Sequence, residues 1–206
     1  MIIDAHTHIG NSFWGQFSPE FLLDIIGDDV DIAICSNLEG IDSFTGKDEI
    51  ECNLDMLNAC KKFPKLKPLA VCEVDRTENA DKIRKLVSEH PQFIGLKFHP
   101  EFTKLRADSD KYNDYLKVAQ EYKKPCLYHS GHIRSRFSSP ELIYKKAKEF
   151  PDVPIILGHL STTTRECHER AIEIMLESIE KEDATLYADV SWVEIEDVIL
   201  LIESLK

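Results

Sequence analysis

The sequence predicts an α/β chain of the (β/α)8 TIM-barrel type, and three observations predict it. Short apolar, β-branched-rich runs recur regularly, amphipathic charge-rich segments alternate with them, and histidines collect where the apolar runs end. The runs start at Ile2, Asp31, Pro68, Phe93, Pro125, Pro154 and Thr185, so successive starts lie 25 to 37 residues apart. That spacing leaves room for a helix in each gap. Parallel strands need such a crossover, whereas antiparallel ones can be joined by a tight turn.

Taken in order, the first run is "MII", continued by "DAHTHIG". Ser18-Pro19-Glu20 then opens a helix, with a capping hydroxyl ahead of a proline at the first helical position. "DIAICS" is the second strand, followed by a helix over 48–62, and "KPLAVCEV" is the third, followed by a helix over 78–90. "FIGLKF" leads to a helix over 110–123, and "PCLYH" to one that Ser139-Pro140-Glu141 opens. "PIILGH" precedes a helix over 164–181, and "TLYADVS" one over 193–205. Seven β/α units are therefore visible. No linker or low-complexity stretch interrupts them, and one domain spanning 1–206 is expected at this length.

Composition narrows the function. The chain has 37 acidic against 25 basic side chains, a net charge of -12. That balance repels phosphate backbones and anionic lipid, so neither nucleic acid nor a membrane is an expected partner. Cys35, Cys52, Cys60, Cys72, Cys126 and Cys167 stand singly with no CxxC pair, which reads as reduced thiols of a cytoplasmic protein. No apolar run approaches the ~20 residues of a bilayer span, and no signal-peptide pattern opens the chain.

The chemistry lies at the strand ends. On a strand Asp4, His6 and His8 share one face and Ile3, Ala5, Thr7 and Ile9 the other, so two imidazoles look at one point. An isolated HxH is as often two ordinary histidines. Here, more histidines follow at equivalent positions: His99 in "GLKFHP", His129 in "LYHSGH" and His159 in "IILGHL", with Asp189 in "LYADVS". Parallel strands bring all their C-terminal ends to one side, and a barrel gathers them around one mouth. Imidazole nitrogens suit zinc, and also manganese or iron, and three such donors make a catalytic zinc site. His6, His8 and His129 are the expected metal ligands. His159 is the expected proton-transfer residue, its reference pKa near ~6.5 suiting that work. Lys97 shares a strand face with His99 and can bind a substrate carboxylate or, if carbamylated, bridge metals. Arg134, beside Arg136 on the "HIRSRFSS" loop, can hold an anion. Lys97, His99, Asp189 and Arg134 are the expected substrate-binding or supporting residues. Phe13, Trp14 and Phe17 serve equally as a pocket wall or as core packing.

Together, "DAHTHIG", "GLKFHP", "YHSGH", "PDVPIILGHLS" and "LYADVS" resemble the amidohydrolase superfamily, in the metal-dependent branch related to aminocarboxymuconate semialdehyde decarboxylase. The resemblance covers essentially the whole chain. It implies a distorted TIM barrel with one divalent ion, usually zinc, held by His6, His8 and His129, with His159 catalytic. It also implies an eighth strand carrying a metal-binding aspartate. That strand is expected to be missing here, with self-association into a homo-oligomer covering the exposed edges. The expected activity is metal-dependent hydrolysis of a C–N or C–O bond in a small molecule. Non-oxidative decarboxylation of an unsaturated or aromatic acid, or a catalytically silent metal-binding barrel, are the alternatives.

Overall fold

A computed structural model describes residues 1–42, 46–74, 79–162 and 164–205. The chain divides into two compact units, Met1–Phe98 and His99–Lys206.

In the N-terminal unit the strands β1 (Ile3–Ser12), β2 (Gly15–Phe17), β3 (Ile32–Asn37), β4 (Leu66–Val71) and β5 (Gly95–Phe98) lie in the order β2-β1-β3-β4-β5. β1, β3, β4 and β5 are parallel. β2, which the sequence reading did not foresee, folds back antiparallel onto the end of β1, pairing Gly10 with Phe17 and Ser12 with Gly15. Phe13 and Trp14 form its tip and are both more than half exposed, so they are not core residues. The helices are α1 (Pro19–Ile26), α2 (Glu39–Asp42), α3 (Glu49–Lys62) and α4 (Asn79–Glu89). Ser18 caps α1 as expected, its side chain accepting from Phe21 N at 3.1 Å, and Asp48 caps α3, accepting from Ile50 N at 2.7 Å. Glu78, the expected start of the helix before His90, lies outside the described residues. Ile9, Ala33, Cys35, Met56 and Leu66 form a core against which Leu22, Leu23, Ile26 and Phe63 pack. Asn53 ties α3 to the end of β4 with two buried bonds, donating to Val71 O at 2.9 Å and accepting from Val71 N at 2.8 Å.

In the C-terminal unit, α5 (Pro100–Thr103), a 3-10 turn (Asp110–Tyr112) and α6 (Asn113–Glu121) precede β6 (Cys126–His129). Then come α7 (Pro140–Ala147), β7 (Ile155–Gly158), α8 (Arg165–Lys181), β8 (Leu186–Ala188) and α9 (Ile195–Ser204). β6, β7 and β8 are parallel, with Cys126 opposite Ile155 and Ile155 opposite Leu186. Tyr112, Leu116, Tyr128, Ile143, Ile155 and Leu157 are fully buried. The outer side of α9 is different: Ile195, Ile199, Ile202 and Leu205 recur at helical spacing and are all exposed. Among the described residues, no helix is long and apolar enough to cross a membrane.

Candidate functional site

β1 does not alternate strictly. Asp4 pairs with Ala33 but Thr7 with Cys35, so three steps along β1 match two along β3, a bulge. Thr7 follows the irregularity by donating its hydroxyl to Ile34 O at 3.0 Å, and the consecutive residues His6 and Thr7 are both buried. His6 and His8 nevertheless stay together, ring centroids 4.9 Å apart and nearly edge to face. Asp4, expected on their face, instead accepts from His6 N at 3.2 Å.

Each ring has a neighbour in this unit. His8 Nδ1 lies 2.9 Å from Ser36 Oγ on β3. His6 Nε2 lies 2.8 Å from Nζ of Lys97 on β5, a lysine only 1% exposed. Which of the two donates depends on the tautomer of His6 and the charge of Lys97. Lys97 is therefore a direct neighbour of a candidate ligand.

In the C-terminal unit the three other candidate histidines, His99, His129 and His159, form a chain of ring contacts. His99 stacks on His129, centroids 4.0 Å apart and 11° from parallel. His129 meets His159 edge to face at 5.2 Å, and His159 stacks on Trp192 at 5.0 Å. His159, Leu160 and Ser161 all have left-handed backbones, with φ of 60°, 45° and 68°. Such a run is costly for residues with a Cβ and persists only where the surroundings impose it. Ser161 imposes it by donating to Gly131 O at 2.6 Å, and Leu160 is fully buried. Gly158, just before, has no room for a side chain: a Cβ there would meet Tyr128 O at 2.8 Å.

Asp189 follows β8 and is buried, its Oδ1 accepting from His159 N at 3.1 Å and Ser191 N at 3.0 Å. A carboxylate oxygen of Asp189 and a ring nitrogen of His159 lie within 4.8 Å. Arg134 is exposed, on a loop that is anchored: Ser135 and Ser138 both donate to Glu101 Oε1, the latter at 2.7 Å. The structure thus groups His6, His8 and Lys97 in one unit and His99, His129, His159 and Asp189 in the other, while Arg134 joins neither group.

Several residues escaped the sequence reading. Ser36 and Ser191 touch His8 and His159, and the "DVS" spacing, which lets an aspartate accept from the backbone two residues on, was the available signal for Ser191. Three glutamates follow the ends of β3 and β4 inside the N-terminal unit. Glu39 accepts from Asn11 N at 3.0 Å and pairs with Lys47 at 2.9 Å, holding that lysine's pKa above its usual range. Glu49, at the start of α3, is 1% exposed, and its Oε2 accepts from Glu73 N at 2.5 Å. Burial, reinforced by the nearby Glu73 carboxylate, pushes the Glu49 carboxyl up to about 8. Burial also pushes the Cys35 and Cys52 thiols up to about 12, so they pack as apolar groups rather than act as nucleophiles.

Comparison with solved structures shows the fold. A 4-oxalomesaconate hydratase from Rhodopseudomonas palustris is 14% identical, with a TM-score of 0.66 over 100% of this chain and 79% of that one. A Staphylococcus aureus protein assigned to the amidohydrolases is 13% identical, with a TM-score of 0.73 over 99% of this chain and 84% of that one. A 5-carboxyvanillate decarboxylase from Novosphingobium aromaticivorans, complexed with manganese and 4-hydroxy-3-methoxy-5-nitrobenzoic acid, is 11% identical, with a TM-score of 0.59 over 90% of this chain and 66% of that one. The α/β barrel-type fold expected from the strand spacing is the one these proteins share. No curated protein sequence matches the chain. The family model for amidohydrolases matches residues 3–194, nearly the full length that carries the histidines, and the chain belongs to the amidohydrolase family.

Proposed function

We propose that this amidohydrolase-family enzyme is a cytoplasmic, metal-dependent hydrolase that cleaves a C–N or C–O bond of a small molecule. His6, His8 and His129 hold one divalent ion, zinc being the proposed metal, and His159 moves the proton. The observation that carries the reading is the pairing of rings on strand ends: His6 with His8 at 4.9 Å and, in the other unit, His129 with His159 at 5.2 Å. The donors suit the ion. Ser36 orients His8 through Nδ1, as supporting groups do for metal-bound imidazoles. His6 Nε2 lies 2.8 Å from Lys97 Nζ, so a cation held at that nitrogen would have to displace the lysine. A bound divalent ion supplies Lewis acidity, which polarises a carbonyl and acidifies water. His159, held by its neighbours, takes or returns a proton, and Lys97, His99 and Arg134 supply polar contacts to the substrate.

Elemental analysis of the purified chain tests this. Stoichiometric metal is expected, lost in both His6→Ala and His129→Ala; unchanged metal in either variant removes that residue from the site. Decarboxylation is the second reading, favoured by the fold shared with the manganese-bound decarboxylase. Carbon dioxide release from an aromatic or unsaturated acid would select it. A metal-loaded chain that turns over neither class of substrate would point to the silent metal-binding barrel instead.

A further inference from the structure

Ser191 sits between a carboxylate and the His159 ring. Its Oγ donates to Asp189 Oδ1 at 2.5 Å and lies 2.8 Å from His159 Nδ1. Its own carbonyl oxygen is 3.2 Å from the same ring nitrogen. A carbonyl can only accept, and a hydroxyl whose proton is committed to a carboxylate must accept from its other neighbour. Both partners therefore demand a proton on Nδ1.

We propose that Ser191 is a positioning residue that fixes His159 as the Nδ1-protonated tautomer, so that the ring's lone pair lies on Nε2. This rests on the reading of His159 given above and assigns it an orienting partner. The order Nδ1–H to Ser191 Oγ–H to Asp189 Oδ1 is a relay in which the carboxylate fixes the hydroxyl and the hydroxyl fixes the ring. Asp189 Oδ1 is itself fixed by His159 N and Ser191 N, so the relay closes on the backbone of the residue it orients. The ring plane is held separately, by Trp192 stacked on it and by the edge-to-face contact with His129. A third group that orients a histidine by its Nδ1 proton is a recurrent way of keeping the other nitrogen available.

The test is ring-nitrogen correlation spectroscopy on the full-length, uniformly 15N-labelled chain with zinc added, the His159 signals being identified by their loss in His159→Gln. The wild-type ring is expected to be protonated at Nδ1, with an exchange-protected Nδ1–H. In Ser191→Ala that proton should exchange at least tenfold faster and the Nε2-protonated share should rise several-fold, whereas Ser191→Thr should restore both. Ser191→Cys, whose thiol is a weak acceptor, should behave like the alanine variant and replaces it if the latter does not fold. A wild-type ring protonated mainly at Nε2 overturns the proposal. So does a ring indifferent to Ser191→Ala and Ser191→Cys. Zinc measured in the same samples separates the two readings: a chain without zinc that keeps the Ser191-dependent tautomer sinks the hydrolase reading and leaves this one standing.

Discussion

Replacing Glu49 by glutamine should remove a pH-dependent weakness of the fold. In the unfolded chain this carboxyl titrates near its ordinary value of 4.5, and burial at the start of α3 pushes it up to about 8 in the folded protein. A raised carboxyl pKa means that the folded state binds the proton more tightly. Its contribution is fully present below pH 4.5 and is lost as pH rises towards 8. With each pKa unit equivalent to ~1.4 kcal/mol, Glu49 alone should cost the fold about 3 kcal/mol between pH 5 and pH 8. Glutamine keeps an oxygen to accept from Glu73 N and has no charge to bury. Urea unfolding of wild type and Glu49→Gln at pH 5, 6, 7 and 8 isolates the effect of Glu49 together with its coupling to Glu73. The stability difference should grow by about 3 kcal/mol across that range in favour of the variant. Parallel stability profiles would refute the argument, as would a variant that becomes relatively less stable towards pH 8.

Other predictions follow from single contacts. Asn53→Ala leaves the buried N–H and C=O of Val71 without their side-chain partner and should cost about 2–3 kcal/mol in urea unfolding. Gly158→Ala forces a methyl against the Tyr128 carbonyl, a backbone atom that cannot swing away, and should cost about 1–3 kcal/mol, with a lowered thermal midpoint as the readout. The exposed stripe of Ile195, Ile199, Ile202 and Leu205 should make the chain self-associate. Light scattering is expected to report a species larger than a monomer that Ile199→Glu shifts towards the monomer, and an unchanged monomer in both would count against it.

Most of the strand and helix plan was legible because each element carries its own signal. The Ser18 and Asp48 caps, the proline at the start of α7 and the period of the apolar runs all report local backbone preferences, and the observed elements begin within two residues of the expected strand starts. β2 carried little signal, since three residues with one glycine look like loop until they pair. The β1 bulge was illegible for a different reason: strict alternation is the default, and an extra residue shows only against a partner strand. Among candidate site residues, the pairing of His6 with His8 followed from period two. Lys97 against His6 did not, because their separation of 91 residues along the chain is bridged only by tertiary structure. Glu49 reads as an ordinary first-turn acid, and nothing in its neighbours along the chain announces that it is buried.

The three consecutive left-handed residues after β7 constrain how this segment can change. Glycine at Ser161 would relax the backbone but lose the hydroxyl that grips Gly131, while a β-branched residue at 159 or 160 would meet a conformation it scarcely tolerates. Substitutions that ease the conformation therefore loosen the ring, and those that keep the grip retain the tension. Efforts to make the protein hardier should leave this corner alone and work elsewhere.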